Sequence, residues 1–246
     1  MEKKMLNKKE FEILKAIETK IGKRIPYKHY SLPIEYSCDF GFEAENGSII
    51  VLSLGNHNLT VFPEEIFQLI ELKVLNLTSC KIGILPNDIG KLIRLKTLNT
   101  SALELREIPN SIQNLKSLEY LILEWNILES LPNSIGKLKN LKRLSLDSNN
   151  YLENLPISLW ELKNLEYLNL NGLLLEDIPD SVENLKMLTH FELLCSKISR
   201  LPNTLTNLEN LKFLKLYVPN RKLLEETSNN VLISLLKKGV EINWSY

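Results

Sequence analysis

Cysteine is scarce in this chain. Cys38, Cys80 and Cys195 are too few and too scattered over 246 residues to outline a disulfide framework. Such usage is expected of a reducing compartment, and the cytoplasm is the simplest assignment. Long apolar runs are missing as well. No stretch of about 18 apolar residues occurs, so no segment is expected to span a membrane. The opening MEKKMLNKKEFEIL is basic but has neither the apolar run nor the small-residue cleavage site of a secretory signal, and none is expected. Net charge is also absent, because 30 basic residues balance 30 acidic ones. A neutral chain has no overall pull toward nucleic acid or an anionic membrane. The first thirty residues do hold nine Lys/Arg against four Glu, an excess that a solvated helix face explains.

The signatures of chemistry are missing too. His29, His57 and His190 have no metal-ligand spacing, and no paired-His motif, nucleophile elbow or catalytic-cysteine signature occurs. Gly90-Lys91 and Gly136-Lys137 lack both the earlier glycine and the following Ser/Thr of a phosphate loop. The chain is therefore expected to be no enzyme and to hold no cofactor and no metal.

What the sequence does have is repetition. A Leu-Pro-type pair recurs at Phe62-Pro63, Leu85-Pro86, Ile108-Pro109, Leu131-Pro132, Leu155-Pro156, Ile178-Pro179 and Leu201-Pro202, at 23-residue steps with a single step of 24. An alternating triplet precedes each pair, from Leu52-Ser53-Leu54 to Phe191-Glu192-Leu193, and an eighth, Leu214-Lys215-Leu216, closes the series. Alternation with period two predicts a short strand with one buried face. After Pro132, Ile135 and Leu138 follow at steps of three, which suits a 3₁₀-like turn better than a full α-helix. Each unit is then strand, turn and short return, and successive strands form a parallel sheet with the returns on its outer side.

Magnitudes explain why the leucines recur. About seven apolar positions per unit each gain roughly 1.5–3 kcal/mol on burial. Ordering the backbone costs about 1–2 kcal/mol for every residue of the unit. One unit cannot fold alone and must bury its flanks against its neighbours. Cys80 and Cys195, five units apart, would stand about 24 Å from each other at ~4.8 Å per strand and cannot bridge.

The units resemble the leucine-rich repeat family, LxxLxLxxN/CxL with an LPxxIxxLxxL return of the 23-residue type found in bacterial, archaeal and intracellular Ras-associated-like proteins. The resemblance covers residues 49–217. It implies an α/β solenoid, with a curved parallel β-sheet on the concave face, short helical or irregular returns on the convex face, and a role in binding other proteins. The family's Asn/Cys position falls on His57, Cys80, Leu103, Asn126, Asn149, Leu173, Ser196 and Pro219. In the family this side chain bonds backbone groups inside the turn. Cys80, Asn126, Asn149 and Ser196 suit that role, whereas Leu103 and Leu173 interrupt it. Thr100 stands where a core leucine belongs, and the extra residue near Asn149-Asn150 predicts a wider turn in the fifth unit.

A solenoid exposes two core ends, so caps are expected at residues 1–48 and 218–246. LNKKEFEILKAIETKIG predicts a helix with Asn7 as N-cap, Glu10 as its capping-box partner and a Leu6–Phe11 staple. Its apolar stripe is Phe11, Leu14, Ile17 and Ile21, and Gly22 is its stop. A loop and a hairpin turning at Asn46-Gly47 follow. NNVLISLLKKG predicts a short closing helix, and Val240, Ile242 and Trp244 alternate as a last strand.

The variable strand positions form three rows expected on the concave side. The first is Val51, Val74, Thr97, Tyr120, Arg143, Tyr167, His190, Phe213. The second is Ser53, Asn76, Asn99, Ile122, Ser145, Asn169, Glu192, Lys215, and the third is Gly55, Thr78, Ser101, Glu124, Asp147, Asn171, Leu194, Tyr217, with Trp125 beside it. Large side chains enter from the fourth unit onward, and aromatic residues and Arg are common interface anchors. The candidate binding residues are Tyr120, Ile122, Glu124, Trp125, Arg143, Asp147, Tyr167, His190, Phe213 and Tyr217. The same aromatics also suit plain packing along the sheet. The expected function is a non-enzymatic protein-binding scaffold, most simply a monomer, with a protein partner and no nucleic acid. The alternatives are a self-associating structural protein, or a small-molecule or glycan binder in which Glu124 and Asp147 accept hydrogen bonds.

Overall fold

The computed structural model describes residues 6–30, 40–57, 59–195, 197–217 and 221–244. Cys38, Ser196, Pro219 and the middle of the expected loop before the hairpin lie outside these residues. Helix α1 (Lys8–Ile21) leads to the hairpin β1 (Gly41–Glu45) and β2 (Ser48–Ser53). One short strand per repeat follows: β3 (Val74–Asn76), β4 (Thr97–Asn99), β5 (Tyr120–Ile122), β6 (Arg143–Ser145), β7 (Tyr167–Asn169), β8 (His190–Leu194) and β9 (Phe213–Tyr217). Helix α2 (Arg221–Lys237) and strand β10 (Glu241–Trp244) close the chain. All ten strands form one sheet in sequence order. Only β1–β2 is antiparallel; the other pairs are parallel.

Register follows the repeat. Val51, Val74, Thr97, Tyr120, Arg143, Tyr167, His190 and Phe213 are paired in succession across the sheet. A slip of one residue would expose every core leucine, so the alternation pins the pairing. Leu52, Leu75, Leu98, Leu121, Leu144 and Leu168 are fully buried as a stack. The returns are five-residue 3₁₀ turns, each entered from the repeat proline, as at Asn133–Lys137 after Pro132 with φ −71°. Successive turns pack closely. A Cβ on Gly136 would lie 2.4 Å from the Ser158 carbonyl oxygen, which explains the glycine there.

Both ends are covered. Asn7 caps α1 by accepting from the Glu10 N–H at 2.9 Å, and Gly22 ends it with φ 72°. The Asn46-Gly47 turn has positive φ at both residues, 51° and 84°, as a two-residue hairpin requires. Two expectations for α1 need correction. Its buried stripe is Glu10, Ile13, Leu14 and Ile17, with Phe11 and Ile21 at the margin, because the helix is turned so that Glu10 faces the Ile49 N–H. Glu10 does not reach back in a capping box. Its carboxylate turns inward to accept from the Ile49 N–H at 3.2 Å. Burial raises its pKa, opposed by that hydrogen bond.

Helix α2 is also longer than expected. Its buried stripe includes Leu224, Ser228, Val231, Leu232 and Leu235. Ser228 breaks the apolar pattern in the sequence, yet its Oγ accepts from the buried Leu201 N–H at 2.8 Å. The fifth-unit insertion extrudes Asn150 and Tyr151 into solvent while Asn149 stays fully buried.

Thr100 is fully buried, and its Oγ1 has no hydrogen-bond partner. Thr100→Val keeps the shape and removes that hydroxyl. It should stabilise the fold by about 1 kcal/mol, raising Tm by roughly 2–4 °C. Differential scanning fluorimetry checks this; a lower Tm would mean that the hydroxyl has a partner.

Candidate binding surface

The turn after each strand needs internal partners for its buried backbone groups, and the side chains at the Asn/Cys position supply them. Asn126 Oδ1 accepts from Leu103 N–H and Leu105 N–H at 3.1 and 3.0 Å. Its Nδ2 donates to Thr100 O and Leu123 O, both at 2.9 Å. Asn149 Nδ2 donates to Leu123 O at 3.0 Å and Leu146 O at 2.7 Å, while its Oδ1 accepts from Leu128 N–H at 3.2 Å. Cys80 Sγ donates to Leu54 O at 3.4 Å. In the seventh unit Cys195, one residue before the expected Ser196, donates to Leu170 O at 3.0 Å. Strand β8 is two residues longer than the middle strands, and Cys195 follows it directly. Burial pushes the Cys195 thiol up to about 12 and raises Cys80 as well, so both are inert protonated donors. Leu103 and Leu173 are packed into the core instead.

The second row is not a display row in the middle of the sheet. Asn76, Asn99 and Asn169 are buried and fold back on their own chain: each Oδ1 accepts from the N–H two residues on, at 2.9, 3.0 and 2.9 Å. Ile122, expected on the exposed face, is fully buried. It lies in register between Asn99 and Ser145, and Glu124, two residues past the end of β5, reaches across to accept from Ser145 Oγ at 2.6 Å. Strand spacing of ~4.8 Å leaves a middle-row side chain little open surface.

The first row does carry an ordered array. The Arg143 guanidinium lies over the Tyr167 ring, 3.5 Å from its centroid. Tyr167 and His190 have ring centroids 6.1 Å apart, and His190 and Phe213 are 5.9 Å apart. Register sets these neighbours, since each comes from the next strand. Glu192, which sequence reasoning did not single out, anchors the row from beneath. Its carboxylate accepts from the Tyr167 hydroxyl, from Asn171 Nδ2 at 2.9 Å and pairs with Lys215 Nζ at 3.5 Å. Burial pushes its pKa up, and the Tyr167, Asn171 and Lys215 donors together pull it below the ordinary range. The available signal was a tyrosine and a carboxylate on adjacent strands, two positions out of register.

Of the candidates, Trp125 and Tyr217 are 65% and 38% exposed, and His190 is exposed as well. Tyr120, Glu124, Arg143, Asp147, Tyr167 and Phe213 are half-buried. Most fall into two groups. Arg143, Tyr167, His190 and Phe213 share one row, with Tyr120 paired to Arg143 at its start and Tyr217 at the other end of β9; Asp147 belongs to neither group. Trp125 and Glu124 instead wall a shallow groove of about 420 Å³ at the ends of the strands, beside Thr78, Ser79, Ser101 and Ala102. Among the described residues no group of three or more His, Cys, Asp or Glu could hold a metal ion. Among them, too, no helix is long and apolar enough to cross a membrane.

A ten-stranded sheet, nearly all parallel, with a 3₁₀ return per rung and an internal Asn/Cys ladder defines a solenoid of leucine-rich type. A family model described as a leucine-rich repeat region matches residues 49–155. A leucine-rich repeat protein of Leptospira interrogans is 32% identical, with TM-score 0.67 over 78% of this chain and 47% of that one. The ectodomain of the Arabidopsis receptor kinase HAESA, solved with an N-terminally extended IDA peptide hormone, is 26% identical, with TM-score 0.62 over 73% of this chain and 32% of that one. Internalin C2 of Listeria monocytogenes shares the fold at 23% identity and TM-score 0.62, covering 95% of this chain and 92% of that one. This chain thus spans about half the length of the Leptospira protein and a third of the HAESA ectodomain. No curated protein matches the sequence. Residues 49–155 thus carry a leucine-rich repeat region, within a fold of leucine-rich repeat type.

Proposed function

We propose that this chain is a non-enzymatic scaffold that binds another protein through the concave face of its fifth to eighth units. The observation that carries this reading is the contiguous row Arg143–Tyr167–His190–Phe213, with the guanidinium over the Tyr167 ring and the following rings in tilted contact. These are the side-chain types that anchor interfaces. They are also held in place before any partner arrives, by contact with one another across the strands and by the Tyr167 hydroxyl bond to Glu192. Side chains already ordered lose less entropy on binding, which favours affinity. The row spans four adjacent strands, about 15 Å at ~4.8 Å each, the scale of an anchor cluster in a standard interface. The same stacking also contributes to sheet stability, and the two roles coexist. The HAESA ectodomain, similar in fold and captured with a peptide hormone, supports a peptide or protein as the partner class. The proposal extends to a monomer working in the cytoplasm, where the buried free thiols Cys80 and Cys195 stay reduced.

The test is affinity capture from the source cell followed by titration of the captured partner. Tyr167→Ala and Phe213→Ala should each weaken binding by about 2 kcal/mol, roughly thirtyfold. Asn76 and Asn99 make poor controls, because they close their own strand ends. The exposed Asn150 is a better one. Equal losses at Asn150 and Tyr167 at unchanged Tm would place the interface elsewhere.

A further inference from the structure

We infer that the strand-end groove beside Trp125 docks a cationic, Lys- or Arg-bearing peptide segment of the partner, an inference that rests on the protein-binding reading above. The backbone raises the question. At the corresponding turn position after each of the first six repeat strands stands a left-handed residue: Asn56, Ser79, Ala102, Trp125, Ser148 and Gly172, with φ between 54° and 69°; Glu104 and Gly83 are left-handed further along their turns. Five of these six are small. A bulky side chain there is strained. Trp125 has φ 56° and is 65% exposed, so the fold gains little burial in return. Stability alone would favour Asn or Gly at this position.

The surroundings specify the ligand's charge. Glu124 precedes Trp125 in the chain, and the Trp125 N–H donates to the Asp147 carbonyl at 2.8 Å, which places Asp147 on the next rung. Both carboxylates are held by serine hydroxyls, Glu124 by Ser145 at 2.6 Å and Asp147 by Ser148 at 2.9 Å. Among the described residues neither forms an ion pair, although Arg106 and Lys197 neutralise Glu129, Glu153 and Glu176 further along the same edge. The strand-end segments 124–132, 147–156 and 171–179 contain six carboxylates and no Lys or Arg. The strand-start side of these units is close to balanced, with Lys116, Lys137, Lys139, Lys142, Lys163 and Lys186 set among Glu119, Glu161, Glu166 and Glu183. The strand-end edge of these units is therefore the one of uniform sign. An exposed indole bracketed by two uncompensated carboxylates attracts a cation by ring quadrupole and by charge.

The groove offers a further contact. Ser101, in its wall, is only 6% exposed, and its Oγ has no hydrogen-bond partner. A buried hydroxyl without a partner is costly, and a peptide backbone group entering the groove would supply one. A groove of this size takes one side chain and the adjoining backbone of an extended segment.

The experiment is selection of a random peptide display library on the intact chain, followed by titration of the recovered peptides on variants. Peptides rich in Lys and Arg are expected, with affinity that falls as salt rises. Trp125→Asn should weaken them about tenfold. It should also raise Tm, because Asn56 shows that asparagine fits this turn. That pair of opposite effects separates a lost contact from a damaged fold. The double variant Glu124→Gln/Asp147→Asn should weaken binding similarly and flatten the salt dependence. Recovery of neutral or acidic peptides, or basic peptides that bind Trp125→Asn as well as the parent, would overturn the inference. If peptides respond to Tyr167→Ala and not to Trp125→Asn, this inference falls and the concave-face reading stands. If variants on neither surface change binding, both fall.

Discussion

Leu121→Asp is expected to destroy the cooperative thermal transition of the central units. Leu121 is fully buried and stands in register between Leu98 and Leu144, both equally buried. Truncating such a leucine to alanine costs about 2–5 kcal/mol. A carboxylate adds the penalty of a charge with no partner in an apolar stack. The sum rivals the whole stability of a typical domain, about 5–15 kcal/mol. Rungs support one another in one dimension, so the damage should spread to both neighbours. Circular dichroism melts and hydrogen exchange at Leu98 and Leu144 measure it. A Tm within a degree or two of the parent would mean that this strand's faces are reversed.

The second large effect is expected at Asn126. Asn126→Ala strands the N–H groups of Leu103 and Leu105 and the carbonyl of Thr100, all in a buried turn, while Leu123 O keeps its bond from Asn149. Each orphaned group costs about 1–3 kcal/mol. A total of at least about 3 kcal/mol should lower Tm on the order of 10 °C. Cys80→Ala should cost far less, because Cys80 makes one weak sulfur hydrogen bond where Asn126 serves two rungs. Parallel melts of the two variants decide the point. Similar small losses for both would mean that water enters the turn and replaces the asparagine.

These two predictions differ in how they could be reached. Leu121 was identifiable from alternation alone. Asn126 was identifiable as a ladder residue only through the resemblance, and its partners on the previous rung became visible only in three dimensions. Thr100 falls between: its place among leucines was plain in the sequence, and its lone hydroxyl needed coordinates.

The sequence by itself determined the repeat, the strand register, the 3₁₀ returns, the Asn7 cap and the Asn46-Gly47 turn. Those features rest on local periodicity and on the backbone preferences of single residues, which a linear reading contains. Tertiary structure alone decided the burial of Ile122, the inward turn of Glu10, the place of Ser228 on the buried face of α2 and the Cys195 bond to Leu170 O. It also decided that Glu192 locks Tyr167 and that Trp125 sits in a left-handed turn between two carboxylates. Most of these depend on contacts between residues more than 20 positions apart in the chain, brought together by stacking at ~4.8 Å per strand. Periodicity specifies which residues stack; it does not specify how far each side chain reaches across to the next rung, and that reach determines which groups stay open to a partner.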